Sequence, residues 1–109
     1  MPTIYKVLGQ AIPAAATPTA LYTVPAANST VVSTVNVCNQ VNTPASFRIA
    51  VRPAGATLAG QHYIAYDAQV SGNDAISLTL GMTLGNTDVI TVVSNTATLS
   101  FSAFGTEIY

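Results

Sequence analysis

The sequence predicts an all-β protein: a single β-sandwich, jelly-roll-like or Ig-like, of about eight mostly antiparallel strands. Runs rich in threonine and valine alternate with turn-forming clusters about every ten residues, a pattern typical of a sandwich or barrel. An apolar fraction of 50% over 109 residues is enough for one core. We therefore expect one domain that spans residues 1–109.

The N-terminal third is predicted to form two short strands and one long strand. Residues 4–8 and 20–24 are short apolar runs, and the Pro/Ala/Thr-rich segment 11–19 separates them. This segment is predicted to be a loop or arm, because its prolines cannot donate to a sheet ladder. Residues 30–38 are rich in β-branched side chains, which favours a long strand.

Two further strands are predicted in the middle of the chain. In residues 46–52, apolar side chains alternate with Arg48 and Arg52. The apolar set faces the core, so both arginines are expected on the outer face. Residues 53–60 form a loop rich in glycine and alanine, and residues 61–70 form an aromatic strand.

The C-terminal third carries the clearest alternation of the chain. Residues 76–84 alternate strictly between apolar and small or hydroxyl-bearing side chains, which predicts one strand with one face toward the core. Its core-facing members are Ile76, Leu78, Leu80, Met82 and Leu84. Residues 89–93 are nearly all apolar, so a second sheet or a neighbouring subunit is expected to cover both sides of that strand. Residues 97–104 form the last predicted strand.

Charged residues are scarcer in this chain than in proteins that exist as free monomers. They make up 6% of the chain, whereas about 25% is usual. The formal net charge is -1 and the isoelectric point is about 5.4. Because interspersed charges normally keep a free domain soluble, we infer that neighbouring molecules cover much of this surface.

The composition also argues against several kinds of partner. Lys6, Arg48 and Arg52 are the only basic residues, too few to neutralise a run of phosphates, so no nucleic-acid partner is expected. No apolar stretch approaches the roughly 18 residues of a spanning helix, so no membrane partner is expected. The first residues lack the charged-then-apolar order of a signal peptide, which predicts a product kept in a cytosol until it assembles.

Candidates for catalysis or metal binding are few. His62 is the only histidine and Cys38 the only cysteine, so we predict no enzyme activity, no catalytic residue, no cofactor and no metal site. Cys38 is expected to be a buried, inert thiol. The alternative is that Cys38 and His62 meet in space as a dyad.

The acidic residues are isolated from one another along the chain: they are Asp67, Asp74, Asp88 and Glu107. Asp74 and Asp88 each end a turn, where a carboxylate accepts backbone hydrogen bonds, so a structural role is expected. A calcium loop with closely spaced oxygen ligands is missing from the sequence, and nothing indicates a glycosidase pair.

Four side chains are the candidates for contacts between subunits: Arg48, Arg52, Tyr63 and Tyr66. The arginines pair either with an acid of a neighbouring subunit or with Asp67 or Asp74 of their own chain. The aromatic residues Tyr22, Tyr63, Tyr66 and Phe104 are expected to pack in the core. The alternatives are an anchor for an interface and a platform for sugar binding.

Most of the chain resembles a group of small structural proteins of tailed phages, especially of cyanophages and other marine phages. The resembling segments are Phe-Arg-Ile-Ala-Val-Arg-Pro at 47–53, His-Tyr-Ile-Ala-Tyr-Asp at 62–67, residues 78–84 with Thr-Asp-Val-Ile at 87–90, and residues 99–107. The resemblance implies a β-sandwich virion protein of the capsid-decoration, neck or tail-associated type. It brings no functional residue with it.

The expected function is therefore that of a virion structural protein, assembled in the cytoplasm of a bacterial host. Its favoured form is a capsid cement or decoration protein whose partners are the major capsid protein and copies of itself. One alternative is a neck, tail or baseplate component that attaches a fibre. A second alternative is a receptor- or carbohydrate-binding module that uses the tyrosines.

Overall fold

Nine strands form two antiparallel sheets in the computed structural model, which describes residues 2–79 and 81–109. The strands are β1 (Thr3–Ala11), β2 (Thr19–Thr23), β3 (Ser29–Asn39), β4 (Ala45–Arg52), β5 (Tyr63–Val70), β6 (Ala75–Leu78), β7 (Met82–Leu84), β8 (Val89–Ser94) and β9 (Leu99–Ile108). Short 3₁₀ turns at Pro53–Gly55 and Gly60–His62 lie between β4 and β5. The predicted all-β sandwich is confirmed.

The order of the strands distinguishes between the two expected kinds of sandwich. The first sheet has the order β1-β9-β3-β6, with β7 also paired to β3, and the second has the order β2-β8-β4-β5. The pairs β1 with β9, β2 with β8, and β3 with β6 and β7 are therefore nested around the β4–β5 hairpin. With β6 and β7 counted as one interrupted strand, this is the jelly-roll arrangement and not the Ig arrangement.

The core lies between the two sheets and is built from the inward-facing residue of each alternating pair. Phe47 of the second sheet meets Phe101 of the first edge to face, with ring centroids 5.9 Å apart. Their fully buried neighbours include Val32, Val35, Val37, Ile49, Ile90, Val92 and Leu99. Burying each such side chain contributes about 1.5–3 kcal/mol before the entropy of ordering is subtracted.

The prediction of a single strand over residues 76–84 is wrong, because the chain forms β6 and β7 with a break between them. Gly81 in the break has φ of 61°, a left-handed conformation that does not continue a strand. Leu80 lies outside the described residues. Both pieces pair with β3, and Leu84 is buried while Ile76, Leu78 and Met82 pack partly against the core.

The first and last strands are longer than the sequence predicts. β1 extends to both sides of residues 4–8, and β9 runs from Leu99 to Ile108 instead of covering 97–104. The reason is that they pair with each other along their length, with Thr3 opposite Ile108. Long-range pairing thus adds residues whose local sequence is not typical of a strand.

The segment between β1 and β2 crosses from one sheet to the other. Ala15 forms a parallel bridge with Ser94, and the Ala16 N–H donates to the Ser94 carbonyl at 2.7 Å. The two strands that it joins approach closely at Gly9, where a Cβ atom would lie 2.1 Å from the Leu21 carbonyl oxygen. Only glycine fits there.

Strand β8 is covered on both sides, as its apolar sequence predicts. Ile90 and Val92 face the core and the first sheet. Thr91, on the other side, accepts a hydrogen bond from Arg52, and the loop at Pro53–Gly55 packs against the same strand. At Thr91 the outer cover therefore comes from the chain itself, whereas Val93 on the same side is partly exposed.

Candidate interaction surface

Three of the four predicted contact residues come together on the outer face of the second sheet. Arg48 lies on β4, and Tyr63 and Tyr66 lie on the adjacent edge strand β5. Asp67 joins them through a salt bridge to Arg48. We refer to Arg48, Tyr63, Tyr66 and Asp67 as the Arg48 cluster.

A β-bulge in β5 builds the cluster. Phe47 pairs with Ala68 and Ile49 pairs with Ala65, so Tyr66 and Asp67 together oppose the single residue Arg48. Asp67 has φ of 55°, and aspartate tolerates this left-handed conformation better than most residues. The extra residue turns both the ring and the carboxylate toward the arginine, which is a common effect of a bulge.

The guanidinium of Arg48 is held from two directions. Its Nε donates to Oδ1 of Asp67 at 2.8 Å and one terminal nitrogen donates to Oδ2 at 3.3 Å. Its Cζ lies 3.8 Å from the ring centroid of Tyr66 and 5.9 Å from that of Tyr63. The two rings meet edge to face at 5.1 Å. The side chains are thus fixed before any partner arrives, which lowers the entropy cost of binding.

The electrostatics of the cluster follow from the same contact. The hydrogen bond to Asp67 raises the pKa of Arg48 above its usual range. The hydrogen bond from Arg48 lowers the pKa of Asp67. Both groups stay charged at neutral pH, so the cluster presents a positive and a negative group side by side next to aromatic rings.

An open cleft of about 210 Å³ borders the cluster. Arg48 and Asp67 form one wall, and Ser46, Val93 and Asn95 contribute to the rest. Hydrogen-bonding groups line this shallow depression, and Arg48 connects it to the ring of Tyr66. This arrangement favours contact with a protein side chain or a sugar ring.

Arg52, the fourth predicted contact residue, does not join the cluster. Its Nε donates to Oγ1 of Thr91 at 2.9 Å, and its Nη1 donates to the carbonyls of Gly55 and Ala56 at 3.4 and 3.0 Å. Arg52 therefore fastens the loop after β4 to the sheet. Of the two alternatives for the arginines, Arg48 pairs within its own chain, and Arg52 pairs with neither Asp67 nor Asp74.

A second ion pair, which was not predicted from the sequence, joins the partly exposed Lys6 to a carboxylate inside the sandwich. Glu107 on β9 is only 3% exposed. It accepts hydrogen bonds from Tyr22 Oη at 2.5 Å and from Lys6 Nζ and Tyr109 Oη at 3.3 Å each. The alternation Leu99, Phe101, Ala103, continued along the strand, would have placed Glu107 on the inner face.

The buried network shifts the pKa values of two of its members. The hydrogen bond from Tyr22, and after it the Lys6 ammonium, holds the pKa of Glu107 below its usual value. Burial, and then the neighbouring carboxylate, raises the pKa of Tyr22 to about 12. Tyr22 Oη also lies 2.9 Å from Oγ1 of Thr30. One polar cluster thus connects β1, β2, β3 and β9.

The predicted aromatic set is divided among three places. Tyr63 and Tyr66 share the Arg48 cluster, and Tyr22 is buried with its hydroxyl on Glu107. Phe104 lies on the outer face of the first sheet, opposite Val7 of β1. Of the four rings predicted to pack in the core, that of Tyr22 does so, and those of Tyr63, Tyr66 and Phe104 lie on outer faces.

Cys38 and His62 lie in different layers. Cys38 is on β3 of the first sheet, opposite Ser100, and is partly exposed, so its predicted burial is wrong. Asn36 and Cys38 face outward because Val35 and Val37 face the core. His62 precedes β5 of the second sheet, and its Nδ1 accepts the Ala59 N–H at 3.1 Å.

No metal-binding group of three or more His, Cys, Asp or Glu side chains occurs within residues 2–79 and 81–109. In the same part of the chain, no helix is long and apolar enough to cross a membrane. Comparison of the sequence with protein-family models gives no match, and a search among curated proteins gives none either.

Proposed function

We propose that this protein is a structural subunit of a phage virion, a cement or decoration protein that docks on the capsid exterior and joins neighbouring major capsid subunits. The observation that carries the proposal is that the few charged side chains of this protein bind groups of their own chain. The chain has three basic and four acidic side chains, and each of these seven hydrogen-bonds within the chain.

In the described part of the chain two ion pairs form, Lys6 with Glu107 and Arg48 with Asp67, and both are internal to the chain. The remaining charged side chains hold turns and loops. Arg52 binds loop carbonyls, and Asp88 accepts the N–H groups of Gly85 and Ala54, each at 2.9 Å. Asp74 accepts the Ala75 N–H at 2.8 Å. The rest of the surface is neutral, which suits a subunit that neighbours cover.

The fold agrees with this role without establishing it. Jelly rolls are found among viral capsid proteins and lectins, and also in enzymes. The resemblance of the segments at 47–53 and 62–67 to phage structural proteins points in the same direction. Both strands that carry these segments lie beside each other in the second sheet, and together they form the Arg48 cluster.

The proposed mechanism is stabilisation of the shell by linkage. A protein that binds the assembled shell and not its separated subunits shifts the equilibrium toward the shell. Buried apolar area supplies about 25 cal/mol per Å², less the cost of ordering. The Arg48 cluster is the proposed anchor, because pre-ordered tyrosine and arginine side chains are frequent hot spots of interfaces.

The proposal is tested by adding the purified chain to capsid shells of the encoding phage that lack it, and separately to dissociated capsid subunits. Sedimentation should show binding to shells only. Tyr66→Ala and Arg48→Ala should each weaken this binding by about tenfold or more, the effect of about 1.4 kcal/mol. Val41→Ala, at an exposed loop residue away from the cluster, is the matched control and should bind normally. Failure of the unaltered chain to bind shells would reject the decoration role.

A second candidate function, carbohydrate or receptor binding, is favoured by one observation. Tyr66 is 60% exposed, and its ring packs on the guanidinium of Arg48, a residue that lines the open cleft. Saturation-transfer NMR with a panel of oligosaccharides tests this candidate. It predicts ligand signals that disappear in Tyr66→Ala, and their absence across the panel would reject it.

A further inference from the structure

The two sheets have edge strands on both sides of the sandwich, and one of these edges differs from the others. The outermost strands are β1 and the β6–β7 pair in the first sheet, and β2 and β5 in the second. An edge strand presents unpaired N–H and C=O groups to any other chain, so proteins usually keep edges short, kinked or charged.

Three of the edges are protected in these ways. β2 has five residues, and β6 and β7 have four and three. β5 has register shifts at two places against β4. By contrast, β1 has nine residues and no proline. Its one register shift lies between Val7 and Gly9, and residues 3–7 before it pair with β9 in register. Its single charge, Lys6, is bound to Glu107.

The direction of the free backbone groups of β1 follows from one hydrogen bond. The N–H of Tyr109 donates to the carbonyl of Pro2 at 3.0 Å. Because hydrogen-bonding direction alternates along a strand, the even-numbered residues 4 and 6 also point to β9. The N–H and C=O groups of Thr3, Tyr5 and Val7 therefore point away from the sheet.

The side chains along this edge are apolar and exposed. Tyr5 is 83% exposed, Val7 48% and Ile4 42%. Val7 lies opposite Phe104, and Tyr5 lies opposite Thr106, which in turn neighbours Val31. The free backbone edge is thus bordered by a neutral, largely apolar patch on the outer face of the first sheet.

We propose that a second copy of this chain adds its β1 antiparallel to this β1, about a two-fold axis at Tyr5. Thr3 of each copy then pairs with Val7 of the other, and the two Tyr5 residues face each other. The pairing satisfies the outward backbone groups of Thr3, Tyr5 and Val7, and it joins the two first sheets into one. It deepens the proposed virion role, on which it rests, by naming one partner and the surface that binds it.

The charge of the strand and its self-complementary backbone favour a second copy as the occupant. The single charge of each β1, Lys6, is bound to Glu107 of its own chain, so the pairing brings no unpaired like charges together. A two-fold contact requires only self-complementarity. Pairing of residues 2–8 gives a strip roughly 24 Å long at about 3.4 Å per residue. A contact between two single edge strands is smaller than the about 1,200 Å² that stable free complexes bury. The isolated dimer is therefore weak, and assembly strengthens it by raising the local concentration.

The test is the mass of the purified chain by sedimentation equilibrium, up to about 1 mM, where even weak association is populated. The mass should rise from the 11.2 kDa of one chain to twice that value. Tyr5→Lys and Val7→Lys should each weaken the association by about tenfold or more, because a lysine protects an edge. Ile64→Lys, an exposed residue on the bulged edge strand β5, should leave it unchanged. Hydrogen exchange should slow at the Tyr5 and Val7 amides as concentration rises.

A chain that stays monomeric at every concentration, or a dimer that the Tyr5→Lys and Val7→Lys variants leave intact, would overturn the β1 pairing. A limiting mass of three or more chains would overturn the two-fold arrangement. These results are distinct from failure of the virion role. A monomer that binds shells rejects only the β1 dimer, and a β1 dimer that does not bind shells rejects only the decoration role.

Discussion

The two ion pairs among residues 2–79 and 81–109 differ in where they lie and in what they stabilise. Glu107 is 3% exposed and binds Lys6 together with two tyrosine hydroxyls. The side chain of Asp67 is 56% exposed and binds Arg48 at 2.8 Å beside two tyrosine rings. The first pair joins β1 and β9 of the first sheet, and the Tyr22 hydroxyl connects its carboxylate to the second sheet. The second pair orders side chains on a surface.

The difference shows how a nearly uncharged chain uses its few charges. A buried carboxylate needs all of its hydrogen bonds, since an unsatisfied buried group is costly. An exposed pair contributes little to folding because water and salt screen it. We therefore expect substitutions at Glu107 to affect stability, and substitutions at Arg48 to affect binding.

The largest expected effect is that of Glu107→Ala. It removes the acceptor of Tyr22 and Lys6 and leaves a cavity, so the free energy of unfolding should fall by about 2–3 kcal/mol. Urea unfolding followed by circular dichroism measures this change. The matched variant Asp67→Ala should lower the urea midpoint far less, because water and salt screen the exposed pair. Equal losses in the two variants would contradict the distinction between the pairs.

Tyr22→Phe is expected to have the next largest effect, about 1–2 kcal/mol, because the hydroxyl contacts both Thr30 and Glu107. The same variant has a pH signature. The folded pKa of Tyr22 is raised from 10.0 to about 12. Stability from this group is therefore complete below pH 10 and is lost as pH rises toward 12. A pH series of thermal melts should show that loss in the unaltered chain and a smaller one in Tyr22→Phe.

The smallest expected effects are the loss of folding stability at acid pH and the dependence of that loss on salt. The pKa values of Glu107 and Asp67 are both lowered by folding. Each group therefore adds stability above its unfolded pKa, about 4.3 and 3.9, which is lost as pH falls through the folded value. About 1 M salt should reduce the exposed Asp67 contribution and spare the buried one. The urea midpoints of Glu107→Gln and Asp67→Asn are measured at low pH, with and without salt. Comparison with the unaltered chain separates the contributions of the two carboxylates.

Local sequence patterns predicted the sandwich, and they placed Arg48 on an outer face. Strict alternation in residues 46–52 was sufficient for that. The sequence left open whether Arg48 pairs within its own chain or with a neighbouring subunit. The β-bulge that turns Asp67 toward Arg48 leaves no clear signal in the sequence. The jelly-roll order of strands depends on long-range pairing, so the sequence alone left it open.

Other features were missed for identifiable reasons. The break before β7 depends on the left-handed conformation of Gly81, which alternation of apolar residues does not reveal. Lys6 and Glu107 are 101 positions apart, so their contact follows from the pairing of the first and last strands. The loop contacts of Arg52 depend on how the 3₁₀ turn after β4 folds back.

The most direct test of the central claim is the copy number of this protein in purified virions of the encoding phage, by quantitative mass spectrometry against the major capsid protein. A neutral subunit that covers the shell should be present in a number equal to, or a simple fraction of, the capsid protein. A count of only a few copies would place it at the neck, baseplate or fibre and contradict decoration. Absence from the particles would contradict the virion role altogether.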